Sequence, residues 1–182
     1  AYALAVKPVR KWTDVMFFFL STKFLPVAAG LVPLFLIAKA TGGLNHIWFM
    51  IILYTAMNLP IAVWMMRSFL ADIPPALFEA AALDGAGLIK TLLKVIAPIA
   101  GPGIASTSLI CFIFSWNELF LVNVLTSTNQ TLPAFLPSLV TSQHLFLGQL
   151  CAGATAVSLP VLIAGFAAQD KLVQGLSLGA VK

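Results

Sequence analysis

The sequence predicts an all-α protein with several membrane-spanning helices. Of its 182 residues 60% are hydrophobic and only 9% charged, far below the quarter or so of charged residues usual in soluble domains. The apolar residues collect into four stretches of roughly the 20 residues needed to cross ~30 Å of hydrocarbon. The basic residues between those stretches fall almost entirely on one side of the chain's zigzag.

Residues 1–14 precede the first stretch, 15–38, whose one charge is Lys23. Loop 39–46 leads to an uncharged span, 47–66. The longest connection, 67–100, is followed by span 101–125, which holds Glu118. Loop 126–149, span 150–168 and tail 169–182 complete the chain. With the N-terminus inside, Lys7, Arg10, Lys11, Arg67, Lys90, Lys94, Lys171 and Lys182 lie inside, against Lys39 alone outside. The positive-inside rule therefore puts 67–100 in the cytoplasm and 126–149 outside. Lys23, two turns into its span, is expected to snorkel to the cytoplasmic face. Pro26 and Pro33 break the first span, Pro60 the second and Pro160 the last. Each deletes a backbone donor that neighbouring helices or cavity water must replace.

Several function classes drop out. The net charge of +4 is scattered rather than gathered into a stripe, which argues against nucleic acid. Cys111 and Cys151 sit in apolar runs as small hydrophobes, and His46 and His144 are too isolated for a metal site. Gly175-Leu176-Ser177-Leu178-Gly179 fits the hydrolase pattern by chance, since that pattern needs a strand, a helix and a nearby base. The start, Ala-Tyr-Ala, has no initiator Met, charged region or cleavage pattern and reads as truncated rather than targeted.

The cytoplasmic loop carries the most information. Pro74 and Pro75 suit a first helical turn, and 76–83 continue it. Leu77 and Ala81, with Phe78 and Ala82, form apolar rows at i, i+4, and Glu79 stands apart. Asp84-Gly85 stops the helix through a left-handed glycine. A helix this short needs a partner to bury Leu77 and Phe78. A second amphipathic helix follows, with Leu88, Ile89, Leu92, Leu93 and Ile96 on one face and Lys90 and Lys94 at the headgroups.

These residues resemble a known family. Glu79-Ala80-Ala81, then Gly85, then Val95-x-Ala97-Pro98 is similar to the EAA loop of ABC importer permeases, with Val95 and Ala97 departing from its Ile-x-Leu-Pro ending. Tyr54-Thr55-Ala56-x-Asn58-Leu59-Pro60, Ser115-Trp116-Asn117-Glu118 and the ending Gly175-Leu176 to Gly179-Ala180-Val181-Lys182 resemble the carbohydrate, maltose-type branch. The tail and last span look most like permeases for polyols such as sorbitol or mannitol.

The resemblance implies a type I ABC importer permease fold, with four of six spans present and the first two missing before Ala1. It implies a multi-pass protein of the bacterial inner membrane and no catalysis or cofactor of its own. The chain lacks a G-x-x-x-x-G-K-[ST] loop, so ATP-Mg would be hydrolysed on a partner ATPase dimer. Leu77, Phe78, Ala81 and Ala82 would pack on that ATPase, with Glu79, Ala80, Asp84 and Gly85 completing the coupling segment. A second homologous permease, a solute-binding protein at the outward loop and membrane lipids are the other implied partners. Asn58, Ser115, Asn117 and Glu118 are candidates for the translocation path or gate, or for helix-to-helix hydrogen bonds. The competing readings are a permease for another small solute, a proton-coupled carrier using Glu118, and an intramembrane enzyme.

Overall fold

A computed structural model describes the backbone of residues 1–6, 9–140 and 146–180, and the side chains of these residues up to 169. Lys7, His144, Lys171 and Lys182, used in the charge and histidine arguments, lie outside the described side chains. The order is α1 (Tyr2–Ala5), α2 (Trp12–Ser21), α3 (Val27–Ala40), α4 (Ile47–Ala71), α5 (Pro75–Leu83), α6 (Leu88–Ile99), α7 (Gly101–Trp116), α8 (Phe120–Leu125), α9 (Leu132–Phe135) and α10 (Leu147–Ala180). Helices α4 and the Leu147–Gln169 part of α10 are each long and apolar enough to cross a bilayer.

Two stretches expected as single helices are divided. The segment 15–38 is split between α2 and α3, and residues 22–26 are non-helical. Pro26 has extended backbone there, and at 1.5 Å per residue neither helix alone reaches ~30 Å. The segment 101–125 is α7 and α8 with a break at 117–119. The last helix exceeds 150–168 at both ends, because an apolar run marks what lies in lipid and not where helical bonding stops. Gly175 to Gly179 lie in that helix, without the strand and turn a hydrolase elbow requires.

Pro33, Pro60 and Pro160 do not break their helices, contrary to expectation. Pro60 and Pro160 leave the carbonyls of Ala56 and Ala156 without their donors, and in both turns a side chain bonds the next carbonyl along. Three residues before Pro60, the Met57 carbonyl accepts a hydrogen bond from Lys23 Nζ. Three residues before Pro160, the Val157 carbonyl accepts one from Trp116 Nε1 at 3.1 Å. Neighbouring side chains thus re-satisfy the weakened turn. Lys23 does not snorkel to the cytoplasmic end: its partner Met57 lies near the middle of α4.

The chain divides into two compact units. In the first (Ala1–Thr22, Pro60–Cys111, Ala167–Lys182), Leu70, Ile73, Ile96 and Ala100 form the core, with Tyr2, Ala5, Met66, Leu77, Phe78 and Val95 against it. Gly103 lets α7 approach α4 closely. A Cβ there would lie 2.4 Å from the ring carbon Cγ of Phe69, a use of glycine common between membrane helices. The Arg67 guanidinium stacks on the Trp12 ring at 4.1 Å.

The second unit (Lys23–Leu59, Phe112–Phe166) is built on Ala38, Phe49, Met50, Leu121, Val122, Leu125 and Ala134. Asn45 fastens its own loop to residues 127–129. With φ +60°, a left-handed conformation that asparagine tolerates, it aims Oδ1 at the N–H groups of Ser127, Thr128 and Asn129 at 3.1, 2.9 and 3.2 Å. Its own carbonyl accepts from Asn129 Nδ2 at 2.7 Å. Asn45→Ala is expected to cost about 1–2 kcal/mol, since three donors lose their acceptor but can turn to water. Asn45→Asp, which keeps the acceptor, should retain most of the thermal midpoint of the detergent-solubilised protein.

Candidate functional site

The loop 67–100 folds as its sequence requires. Pro74 caps α5 with extended backbone and Pro75 takes the first helical position, where a missing N–H costs nothing. At the other end Gly85 adopts φ +68°. Its N–H donates to the Ala82 carbonyl and that of Ala86 to the Ala81 carbonyl, both at 3.0 Å, the paired bonds of a glycine-terminated helix. Thr91 then locks the turn. Its buried hydroxyl donates to the carbonyls of Ala86 and Gly87 at 3.3 and 3.2 Å. Sequence reasoning missed Thr91, whose only signal is its place in the first turn of the next helix.

That helix, α6, contains a widened π turn over Leu92–Ile96. The turn directly precedes Pro98, whose ring would meet the Lys94 carbonyl in regular α geometry. At Ala100 the path bends by 83° into α7. The buried side of α6 is Thr91, Leu92, Val95 and Ile96, while Leu88, Ile89 and Leu93 are exposed. Of the expected apolar face, Leu88, Ile89 and Leu93 thus stay open, while Leu92 and Ile96 turn towards the chain's own core.

The faces of α5 also differ from expectation. Leu77, Phe78 and Ala81 were expected against a partner but pack on the chain's own core, with the Phe78 ring 6.0 Å from that of Tyr2. The bonded partner this short helix needs is intramolecular. Its free side is Ala76, Glu79, Ala80 and Leu83, spaced at i, i+3, i+4 and i+7, with Ala82, Asp84 and Gly85 also exposed. Leu83 is 89% exposed, a large apolar side chain offered to whatever docks there. Sequence reasoning passed over it because a leucine in an apolar row reads as interior. Between α1 and α5 lies a cavity of about 510 Å³, lined by Tyr2, Phe78, Glu79, Ala82 and Thr91 among others.

The four intramembrane candidates fall in the second unit. Asn58 Nδ2 donates to Ser115 Oγ at 2.9 Å and to the Tyr54 carbonyl at 2.9 Å. Its buried Oδ1 has no hydrogen-bond partner among the described residues. Glu118 is a cap. Its carboxylate accepts the N–H of Leu121 at 2.8 Å and of Val122 at 3.4 Å, the first turn of α8, and the Tyr54 hydroxyl at 3.2 Å. The break at 117–119 thus ends in an acid placed at a helix start, where the N–H groups lack partners. Asn117 turns back on its own helix, donating to the Ile113 carbonyl at 2.9 Å. The structure joins Asn58 to Ser115 and adds Tyr54, one turn from Asn58, which links the amide to Glu118.

An all-helical membrane subunit that sets a stiff, capped helix in its longest connection has the design of a transport permease. Residues 1–177 match the family of the binding-protein-dependent transport system inner membrane component, and the chain belongs to it. It is 36% identical over its whole length to the "Probable ABC transporter permease protein y4oR" of Sinorhizobium fredii, covering 66% of that protein. It is 34% identical to the "Trehalose transport system permease protein SugB" of Mycobacterium tuberculosis, over 86% of this chain and 59% of that one. Identity to the "Maltodextrin transport system permease protein MalD" of Streptococcus pneumoniae is 31%, over 91% and 60%. A crystal structure of a bacterial ABC transporter involved in the import of alginate superposes with a TM-score of 0.70 at 28% identity, covering 94% of this chain and 65% of that one. The chain thus spans about 60 to 66% of the length of these relatives. It is a multi-pass inner-membrane component with the ABC importer permease fold, a non-catalytic part of such transporters.

Proposed function

We propose that this chain is the permease of an ATP-driven importer for a carbohydrate, and more finely for a polyol such as sorbitol or mannitol. The observation that carries the coupling role is the exposed side of α5. Leu83 at 89% exposure, flanked by Glu79 and Ala80 and held by the Gly85 turn, is a short rigid plug suited to a groove on another protein. The ATPase dimer that supplies the groove holds ATP-Mg. A homologous permease and a solute-binding protein complete the assembly. The names of the relatives, which specify trehalose and maltodextrin transport, support a carbohydrate. The polyol reading rests on the last span and the Gly175-to-Lys182 ending. Asn58 and Ser115 line the path, whereas Glu118 and Asn117 are engaged within the fold. The proton-coupled reading gains no support, since the Glu118 carboxylate serves as the cap of α8.

Leu83→Asp in the full-length complex is expected to lower ATPase co-purification about tenfold, since an apolar contact becomes a buried charge. Unchanged co-purification would remove α5 from the interface. A thermal-shift screen of the cognate binding protein tests the cargo: stabilisation by polyols supports the finer reading, by other sugars only the coarser one, and by amino acids alone neither.

A further inference from the structure

A charge stands where the membrane should exclude one. Lys23 is exposed in the 22–26 break between α2 and α3, and its Nζ donates to the carbonyl of Met57. Met57 is the eleventh residue of the 25-residue α4, about 15 Å along it, so the ammonium lies near the bilayer midplane. Charged groups at that depth are costly and face protein interiors or water-filled cavities. Non-helical backbone at that depth is tolerated under the same conditions. The break and the lysine coincide.

Capping a proline-weakened turn does not require a charge. At Pro160 the equivalent carbonyl, Val157, is served by the neutral indole of Trp116. An ammonium has three donors, and one of them is bonded to Met57. No carboxylate of the described residues pairs with it. Beside it the Phe114 ring is 51% exposed, its centroid 5.9 Å from Nζ.

We propose that Lys23 and Phe114 form a solute-contact site in the translocation path. The two remaining N–H groups of the ammonium donate to the hydroxyls of a neutral sugar or polyol, and the electron-rich face of Phe114 takes its C–H rim. The site rests on reading the chain as a permease, and it adds the cargo's chemistry: several hydroxyl oxygens on a compact carbon skeleton.

The test uses the full-length complex in lipid nanodiscs with Cys111 and Cys151 replaced by serine. A thiol at Lys23→Cys is expected to react with a water-soluble, anionic methanethiosulfonate at a rate comparable to that of Thr41→Cys, at the exposed end of α3. Mannitol or maltose at about ten times its apparent Kd for the variant should slow the former about tenfold by occupying the site, and leave the latter unchanged. Absence of reaction at position 23 would place the residue against lipid or protein and overturn the proposal. Protection by a sugar acid alone would overturn the neutral class. In proteoliposomes Lys23→Met should cut uptake about tenfold while ATPase activity stimulated by the binding protein persists, and Lys23→Arg should recover part of it. Wild-type uptake by Lys23→Met would also overturn the site. Since the labelling rate without solute is independent of the cargo, a wrong carbohydrate assignment and a wrong path assignment give different results.

Discussion

Gly85→Asp is expected to leave the protein in the membrane while uptake falls about tenfold or more and ATP hydrolysis by the complex continues. The reason lies in the backbone. Gly85 holds φ +68°, and a Cβ there meets nothing within 4 Å, so the cost is conformational and not steric. A side chain in the left-handed region costs roughly 1–2 kcal/mol, enough to shift the turn's population by an order of magnitude. The paired bonds from Gly85 and Ala86 to Ala82 and Ala81 then fray, and Leu83 loses its fixed bearing. Aspartate also adds a second negative charge beside Asp84, at the tip proposed to face the ATPase. Gly85→Asn separates the contributions, because asparagine visits this conformation readily and carries no charge. Asparagine should retain most uptake, valine least. Equal uptake by all three variants, measured against ATPase activity, would disconnect the turn from coupling.

Gly103→Leu is expected to destabilise the protein by about 3 kcal/mol, at the upper end for an overpacked site. Even one added carbon would sit 2.4, 2.6 and 2.9 Å from Cγ, Cδ2 and Cβ of Phe69. Those atoms lie at the root of the ring, so rotating its far end gives no relief, and α7 must move off α4. The expected signs are a lower thermal midpoint in detergent and poor accumulation in the membrane. Phe69→Ala in the same chain should recover part of the loss, because it removes the atoms that the new side chain meets. Two losses that simply add would show that Gly103 matters for another reason, since residues in contact couple and distant ones do not.

Much of this was legible in the chain because it depends on chemistry within one turn of helix. Pro74, Pro75, Asp84 and Gly85 specify where α5 starts and stops, and the structure has those ends. The apolar stretches identified a polytopic helical protein. Pro26 was legible as a break. Pro33, Pro60 and Pro160 were not legible as continuous helix, because the donors that rescue the turns before Pro60 and Pro160 come from Lys23 and Trp116, 37 and 44 residues away in sequence.

The sequence by itself determined the class: helix-forming apolar stretches in lipid leave only helices or closed barrels to satisfy the backbone, and local capping signals set the coupling helix between them. Tertiary structure decided which side of each helix is free. The apolar row of Leu77, Phe78 and Ala81 suits a partner's groove as well as the chain's own core, and only packing against Leu70, Ile73 and Ile96 assigns it inward and Leu83 outward. Likewise Glu118 reads as a path residue or as a helix-to-helix hydrogen-bond former alike until α8 begins at Phe120 and gives its carboxylate two N–H groups to cap. Periodicity ranks faces by hydrophobicity, but burial is a property of pairs of surfaces, and the second surface is nowhere in the local sequence.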